Sequence, residues 1–199
     1  MPENSPNEKT ERTIDLSIAI ISWNVADLLK ACLESLAAAP ITIIAPDGSE
    51  ISGPALPDAQ NITVEVIVLD SASSDNSVDV VQQFDWAHLI ARKDNIGFTR
   101  GNNVALKQAR GRHLMLLNPD TEVRGDALNR MVAYLDENED VGMVGPHVLN
   151  DDGTTQSTRR RFPTVATGIF ESTWLTPLAP RRVLDQFYVR DMPDDGTFD

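Results

Sequence analysis

At 199 residues with a formal net charge of −13, the chain can bury a hydrophobic core, and it is acidic enough to repel phosphate backbones and anionic lipid. Hydrophobic residues make up 41% and charged residues 24%, an ordinary balance for a globular domain. Cys32 is the single cysteine, which excludes an intramolecular disulfide and a cysteine metal cluster. The opening "MPENSPNEKTERT" is polar and lacks an apolar signal-peptide core, so residues 1–14 read as a disordered leader on a cytoplasmic protein. "DLSIAIIS" (15–22) is a short β-branched run, as expected of a strand covered on both faces. Val25, Leu28, Leu29, Cys32, Leu33 and Leu36 follow at helical spacing, with Asn24 as the expected N-cap. The Pro- and Gly-rich stretch 40–61 reads as a long connection carrying a minor strand at 41–44.

"TVEVIVLD" (63–70) predicts a second buried strand, and "SASSDNS" is turn and cap chemistry before a short helix marked by Val78, Val81 and Phe84. "AHLIA" (87–91) predicts a third strand. "KDNIGFTRGNN" (93–103) reads as a loop leading into a helix with Val104, Ala105 and Ala109 inward. "RHLMLL" (112–117) is a fourth strand, Leu128, Met131, Val132 and Leu135 mark another helix, and "VGMVGPHVL" (141–149) is a fifth strand. "DDGTTQSTRRRFP" (151–163) reads as a hairpin and a basic run, in which Arg159, Arg160 and Arg161 are a solvated face or a phosphate clamp. Beyond Pro163 no period is legible, and 164–199 is expected to be irregular.

Alternating strands and helices predict an α/β domain with a mostly parallel sheet, in which ligands bind beyond the carboxyl ends of the strands. Those ends carry Ser22-Trp23-Asn24, Asp70, Lys93-Asp94-Asn95 and Asn118-Pro119-Asp120. Rossmann, P-loop and nucleophile-elbow fingerprints are all missing. His88, His113 and His147 are scattered and read as core or edge histidines rather than zinc ligands. Asp120, with Asn118 and Glu122 beside it, offers hard oxygen ligands suited to Mg²⁺ or Mn²⁺. Gly97 to Asn103 supplies backbone donors and Arg100 near a helix start, suited to a diphosphate. Asp70 can accept from a pyrimidine ring N–H, and Trp23 can cover an aromatic face. Asp75 reads either as a helix cap or as a site carboxylate. The sum is a pocket for a nucleoside diphosphate bridged by a divalent metal.

The segments "AIISWN", "VIVLDSASSDNSVDVV", "KDNIGFTRGNN", "GRHLMLLNPDTEV" and "VGMVGPHVLNDDGTTQSTRRRFP" stand in the order and spacing of family 2 glycosyltransferases. The chain resembles that family from Asp15 to Pro163, and within it the rhamnosyltransferase-like subgroup. The resemblance implies the GT-A fold, a nucleoside-diphosphate sugar donor, a glycan or lipid-linked glycan acceptor, Mn²⁺ or Mg²⁺, and inversion at the anomeric carbon. By that likeness Asp120 fills the last place of a D-x-D metal motif whose first place is Asn118. Ser22, Asn24 and Asp70 match donor-base contacts, and Gly97, Arg100 and Asn103 match the ribose–diphosphate loop. The family's acceptor half carries an acidic E-D pair, one member of which is the general base. No such pair follows Pro163, Asp194 and Asp195 do not match it, and no general base is assigned. The expectation is a donor-binding chain that transfers poorly by itself, with a tail that could pack on a second copy. A nucleotide-sugar-binding module without transfer is the alternative; a sugar-phosphate nucleotidyltransferase would need a Gly-rich basic loop where "SWNVADLLK" stands.

Overall fold

Seven successive buried residues, Leu16–Ser22, form the central strand β1. A run without polar alternation is stable as a strand only where both faces are covered, and helices cover both. The computed structural model describes residues 13–57, 61–156, 158, 160–171, 173, 174 and 176–189. Residues 1–12 and 190–199, which include most of the expected leader as well as Asp194 and Asp195, lie outside the described residues, as does Arg159.

After β1 come α1 (Ala26–Ala38), β2 (Thr42–Ile44), β3 (Glu50–Ser52), β4 (Thr63–Asp70), α2 (Ser77–Val81) and β5 (Ala87–Ala91). Then follow α3 (Gly97–Leu106), β6 (His113–Leu117) and α4 (Ala127–Glu137). The sheet order is β3-β2-β4-β1-β6. β4 runs parallel to β1 from Leu16↔Val64 to Ser22↔Asp70, and β6 runs parallel on the other side of β1. The outer edge of β4 is divided: its start pairs with β2 and its end, from Val66, pairs with β5. Among the described strands only β3 is antiparallel, joined to β2 by a turn with Gly48 at φ +85°.

Strand alternation sorts the core into two layers. Leu16, Ile18 and Ile20 of β1 and Val64, Val66 and Val68 of β4 pack with Leu29, Cys32, Leu33 and Leu36 of α1 and with Leu128 and Val132 of α4. Ala19, Ile21, Ile67 and Leu69 pack on the other face with Ala105 of α3. Leu28, expected on the inner stripe of α1, is exposed.

The expected fifth strand at 141–149 does not form. Gly142, Gly145 and Pro146 weaken it as a strand, and among the described residues it meets no ladder partner apart from an isolated Leu149↔Thr155 bridge. Two compact units divide at Val144/Gly145, ahead of the expected boundary at residue 163. The second unit is less irregular than its sequence suggests. It holds the expected turn at 150–154, α5 (Val165–Glu171) with Thr164 and Thr167 bonded at its start, a 3₁₀ turn at Thr176–Leu178, and α6 (Arg181–Phe187). Arg160 is exposed, and its guanidinium lies 4.2 Å from the Tyr188 ring centre. No helix among the described residues is long and apolar enough to cross a membrane.

Candidate functional site

Because β1, β4, β5 and β6 are parallel, their last residues reach one rim. At its centre Ser22 pairs in register with Asp70. Asp70 is 1% exposed, and its two oxygens accept from the Ser73 N–H at 2.9 Å and O–H at 2.5 Å. Ser73 in turn accepts from the Asn24 N–H at 2.9 Å. The Asn24 side chain accepts from the Ser74 N–H at 2.7 Å. The loops after β1 and β4 are thus welded into one ledge, with Asn24 at φ 54° and Ala72 at φ 62°. Left-handed backbone at residues other than glycine persists only where surrounding bonds enforce it, and it gathers at functional sites. Trp23 projects from the ledge, 55% exposed.

This geometry corrects one expectation and resolves another. Asn24 is not the N-cap of α1; its amide is committed to Ser74. The cap arrives from the other loop, where Asp75 Oδ2 accepts from the Ala26 N–H at 3.1 Å. Asp75 Oδ1 also accepts from the Ser77 N–H and O–H at the start of α2. Of the two readings of Asp75, the capping one describes what its oxygens do: one carboxylate closes two helix starts. The Ser77 hydroxyl holds the Asp75 carboxyl below the ordinary carboxylate range, with backbone bonds from Ser77 and Ala26 adding to the effect against desolvation.

α3 begins earlier than its sequence suggests. Gly97, at φ +73°, opens the helix, so Arg100 and Asn103 lie on its first two turns rather than in a loop. Both are exposed. Since α3 leads back into β6, its N-terminus faces the same rim as the strand tips. The Ser71 hydroxyl bonds Asn95 and accepts from the Ile96 N–H, and Asn95 accepts from the Gly97 N–H, tying the helix start to the end of β4. A side chain on Gly101 would meet Ile21 at 3.0 Å, so this glycine lets α3 lie close to the β1 tip.

At the β6 tip the chain turns through Asn118-Pro119-Asp120. The Asn118 carbonyl accepts from the Thr121 hydroxyl at 2.6 Å and lies 3.8 Å from the Cys32 thiol. Asp120 and Glu122 are exposed, and Asp120 has no hydrogen bond or ion pair among the described residues. Burial pushes the Cys32 thiol up to about 12, and the charges of Asp120 and Glu122 push in the same direction. A negative field therefore surrounds the turn. Among the described residues no group of three or more His, Cys, Asp or Glu side chains could hold a metal by itself. A hard cation here would draw its other ligands from water and a diphosphate, which is the usual habit of Mg²⁺ and Mn²⁺. The donor set fits such an ion. The Ser22 hydroxyl adds a second sign: it is fully buried at the centre of the rim and has no hydrogen-bond partner among the described residues.

Comparison with known proteins decides the family, because the model of "Glycosyl transferase family 2" matches residues 17–191. The chain belongs to glycosyl transferase family 2. Two curated relatives of this family 2 chain are similar at low identity. The provisionally assigned teichuronic acid biosynthesis glycosyltransferase TuaG of Bacillus subtilis (strain 168) is 27% identical over 95 residues, 45% of this chain and 38% of TuaG. The succinoglycan biosynthesis protein ExoO of Rhizobium meliloti (strain 1021) is 27% identical over 128 residues, 63% of this chain and 31% of ExoO. Among solved structures, residues 1–349 of S. aureus TarS superpose with a TM-score of 0.51 at 22% identity, over 63% of this chain and 33% of that one. The chain thus spans about a third of the length of each of these proteins. The TarS likeness supports the GT-A fold expected from the sequence.

Within this family 2 chain, a second polar cluster lies at the opposite, amino-terminal end of the strands and has no counterpart in the sequence reading. Glu65 of β4 is buried among the Ser17 hydroxyl, the Arg110 N–H and the Arg110 guanidinium. Beside it Arg112 bridges Asp15 and Asp136, and Arg112 with His113 pulls the Asp136 carboxyl down to about 2. Both clusters fasten β6 to its neighbours and lie away from the rim. The buried Cys32 gives a simple check on the rim geometry. Its thiol is expected to stay unreactive towards a maleimide at neutral pH in the native protein and to react fully in denaturant. Rapid native labelling would mean that the β6 turn does not cover it.

Proposed function

We propose that this chain is the donor-binding part of an inverting, metal-dependent glycosyltransferase. In this reading it serves transfer of a sugar such as rhamnose from a nucleoside diphosphate to a glycan acceptor in cell-envelope polysaccharide synthesis. The observation that carries the reading is the convergence on one rim of the unpaired Ser22 hydroxyl, the α3 start and the unbonded Asp120 carboxylate. TarS has been crystallised with UDP and with UDP-GlcNAc, which supports a nucleotide-sugar donor for the shared fold. The names of TuaG and ExoO support a setting in polysaccharide synthesis.

In this reading the ledge made by Ser22, Asn24 and Asp70 borders the base. Each Asp70 oxygen already accepts once from Ser73, and a second lone pair remains to accept from a pyrimidine N–H. Trp23 covers the face of the ring. Asp75 supports the ledge by holding both helix starts. Gly97, Arg100 and Asn103 present the positive end of α3 and a guanidinium to the diphosphate. Asp120, with Asn118 beside it, would hold Mn²⁺ or Mg²⁺, which when bound offsets the charge of the departing diphosphate. No residue of the chain is assigned as the base acting on the acceptor.

Calorimetric titration of UDP-, dTDP- and GDP-sugars, with Mn²⁺ and after thorough chelation, tests the reading. A pyrimidine nucleotide sugar is expected to bind at least about tenfold more tightly with the metal, the scale of one charge-assisted contact. Equal affinity with and without metal would overturn metal dependence, and no binding by any donor would overturn the donor site.

A further inference from the structure

We propose that Thr121 and Ser35 are positioning residues, Thr121 closing the turn that carries Asp120 and Ser35 tying that turn to α1, so that the Asp120 carboxylate meets a divalent cation in one orientation. The inference rests on the donor and metal reading above and concerns what aims the ligand. Asp120 has no hydrogen bond among the described residues, so no partner of its own orients its carboxylate. What orients it is the backbone on either side, and that backbone is held at two places.

Ahead of Asp120, the Asn118 carbonyl is closed over by the Thr121 hydroxyl at 2.6 Å and the Thr121 N–H at 3.3 Å, with the Cys32 thiol beneath it. After Asp120, the Val123 N–H donates to the Ser35 hydroxyl at 2.9 Å, while that hydroxyl donates to the Cys32 carbonyl at 2.7 Å. Cys32 and Ser35 are three positions apart on α1, so both ends of the turn are tied to the same turn of one helix. Apolar packing does not supply this restraint. Leu117 and Val123 pack against the core, but they flank the turn and leave the residues between them without apolar anchors. Nor does α1 need the serine, since alanine is the better helix former at an interior position. The two hydroxyls therefore supply orientation that neither the helix nor the core provides.

Mg²⁺ and Mn²⁺ make the orientation matter, because such ions tolerate little departure from octahedral geometry and the groups that orient a ligand tune its affinity. The test measures Mn²⁺ binding to the full chain by electron paramagnetic resonance in the presence of UDP, for the wild type, Thr121→Val, Thr121→Ser, Ser35→Ala and Asp120→Ala. UDP affinity in chelator and thermal unfolding are measured alongside. Thr121→Val and Ser35→Ala are each expected to weaken Mn²⁺ binding by about tenfold, the lower end for loss of an outer-shell partner. Thr121→Ser, which keeps the hydroxyl, is expected to restore wild-type Mn²⁺ affinity, and metal-free UDP affinity is expected not to move. Ser35→Ala favours the helix, so it remains informative if Thr121→Val does not fold. Unchanged Mn²⁺ affinity in Thr121→Val and Ser35→Ala, with loss in Asp120→Ala, would overturn the clamp and leave the metal reading standing. Unchanged affinity in Asp120→Ala would overturn both.

Discussion

Asp120→Ala is expected to lower the metal-dependent affinity for a nucleoside diphosphate by ten- to a hundredfold while leaving the unfolding transition where it is. The two halves of that expectation have separate causes. The carboxylate is exposed and bonds to nothing among the described residues, so the fold loses no contact with it. Ligand binding loses a charge-assisted contact worth roughly 1.5–3 kcal/mol, and every 1.4 kcal/mol is about a factor of ten. Calorimetry with and without Mn²⁺ separates the metal-dependent part from the rest. A folded Asp120→Ala protein that binds as tightly as the wild type would remove Asp120 from the site.

Glu65→Ala should act in the opposite way, on stability and not on binding. The carboxylate accepts four hydrogen bonds, from the Ser17 hydroxyl, the Arg110 N–H and two guanidinium nitrogens. Most of the Arg110 side chain is in solvent, so losing that ion pair alone costs little. The expense lies in the buried Ser17 hydroxyl, which would be left without an acceptor, whereas the Arg110 N–H keeps the Ser17 oxygen at 3.2 Å. At about 1–3 kcal/mol for an unsatisfied buried group, the variant should lose about 2 kcal/mol, a large share of a domain's margin. Glu65→Gln keeps an acceptor and should lose less. Urea denaturation checks both, and a Glu65→Ala protein within about 0.5 kcal/mol of the wild type, the ordinary range for neutral surface changes, would refute the account.

The same carboxylate sets a pH dependence. Burial raises the Glu65 pKa, but the bonds from Ser17 and Arg110 outweigh it, and the net shift is downward. A carboxyl lowered in the folded state stabilises the fold above its unfolded pKa, and that contribution is lost as pH falls through the folded value. Asp136, pulled down to about 2, behaves alike, though its exposure makes its share small. Stability should therefore decline below about pH 4, the ordinary carboxylate range, and Glu65→Gln should flatten part of that decline.

The elements themselves were legible in the sequence because the forces that make them are local. Ile18 to Ile21 and Val66 to Leu69 are unbroken apolar runs, and such runs in an alternating chain form a parallel sheet whose tips share a rim. That rim holds Ser22, Asp70, Asn118 and Asp120, the residues singled out from strand ends alone. The sheet's pairing was not legible. β4 divides its outer edge between β2 and β5, and 141–149 stays unpaired in spite of its valines, because a strand exists only where a neighbour accepts its hydrogen bonds. The roles of polar side chains were hidden for the same reason. Asp75 caps a helix that begins 49 positions earlier in the chain, Asn24 serves a distant loop rather than its own helix, and Glu65 looks like a solvent-facing residue until Arg110 closes over it. Apolar periodicity acts over one or two turns and can be read along the chain. The partner of a hydrogen bond is chosen in space, and only the folded chain brings Ser35 to Val123, Ser73 to Asn24, and Asp120 to the rim without a partner among the described residues.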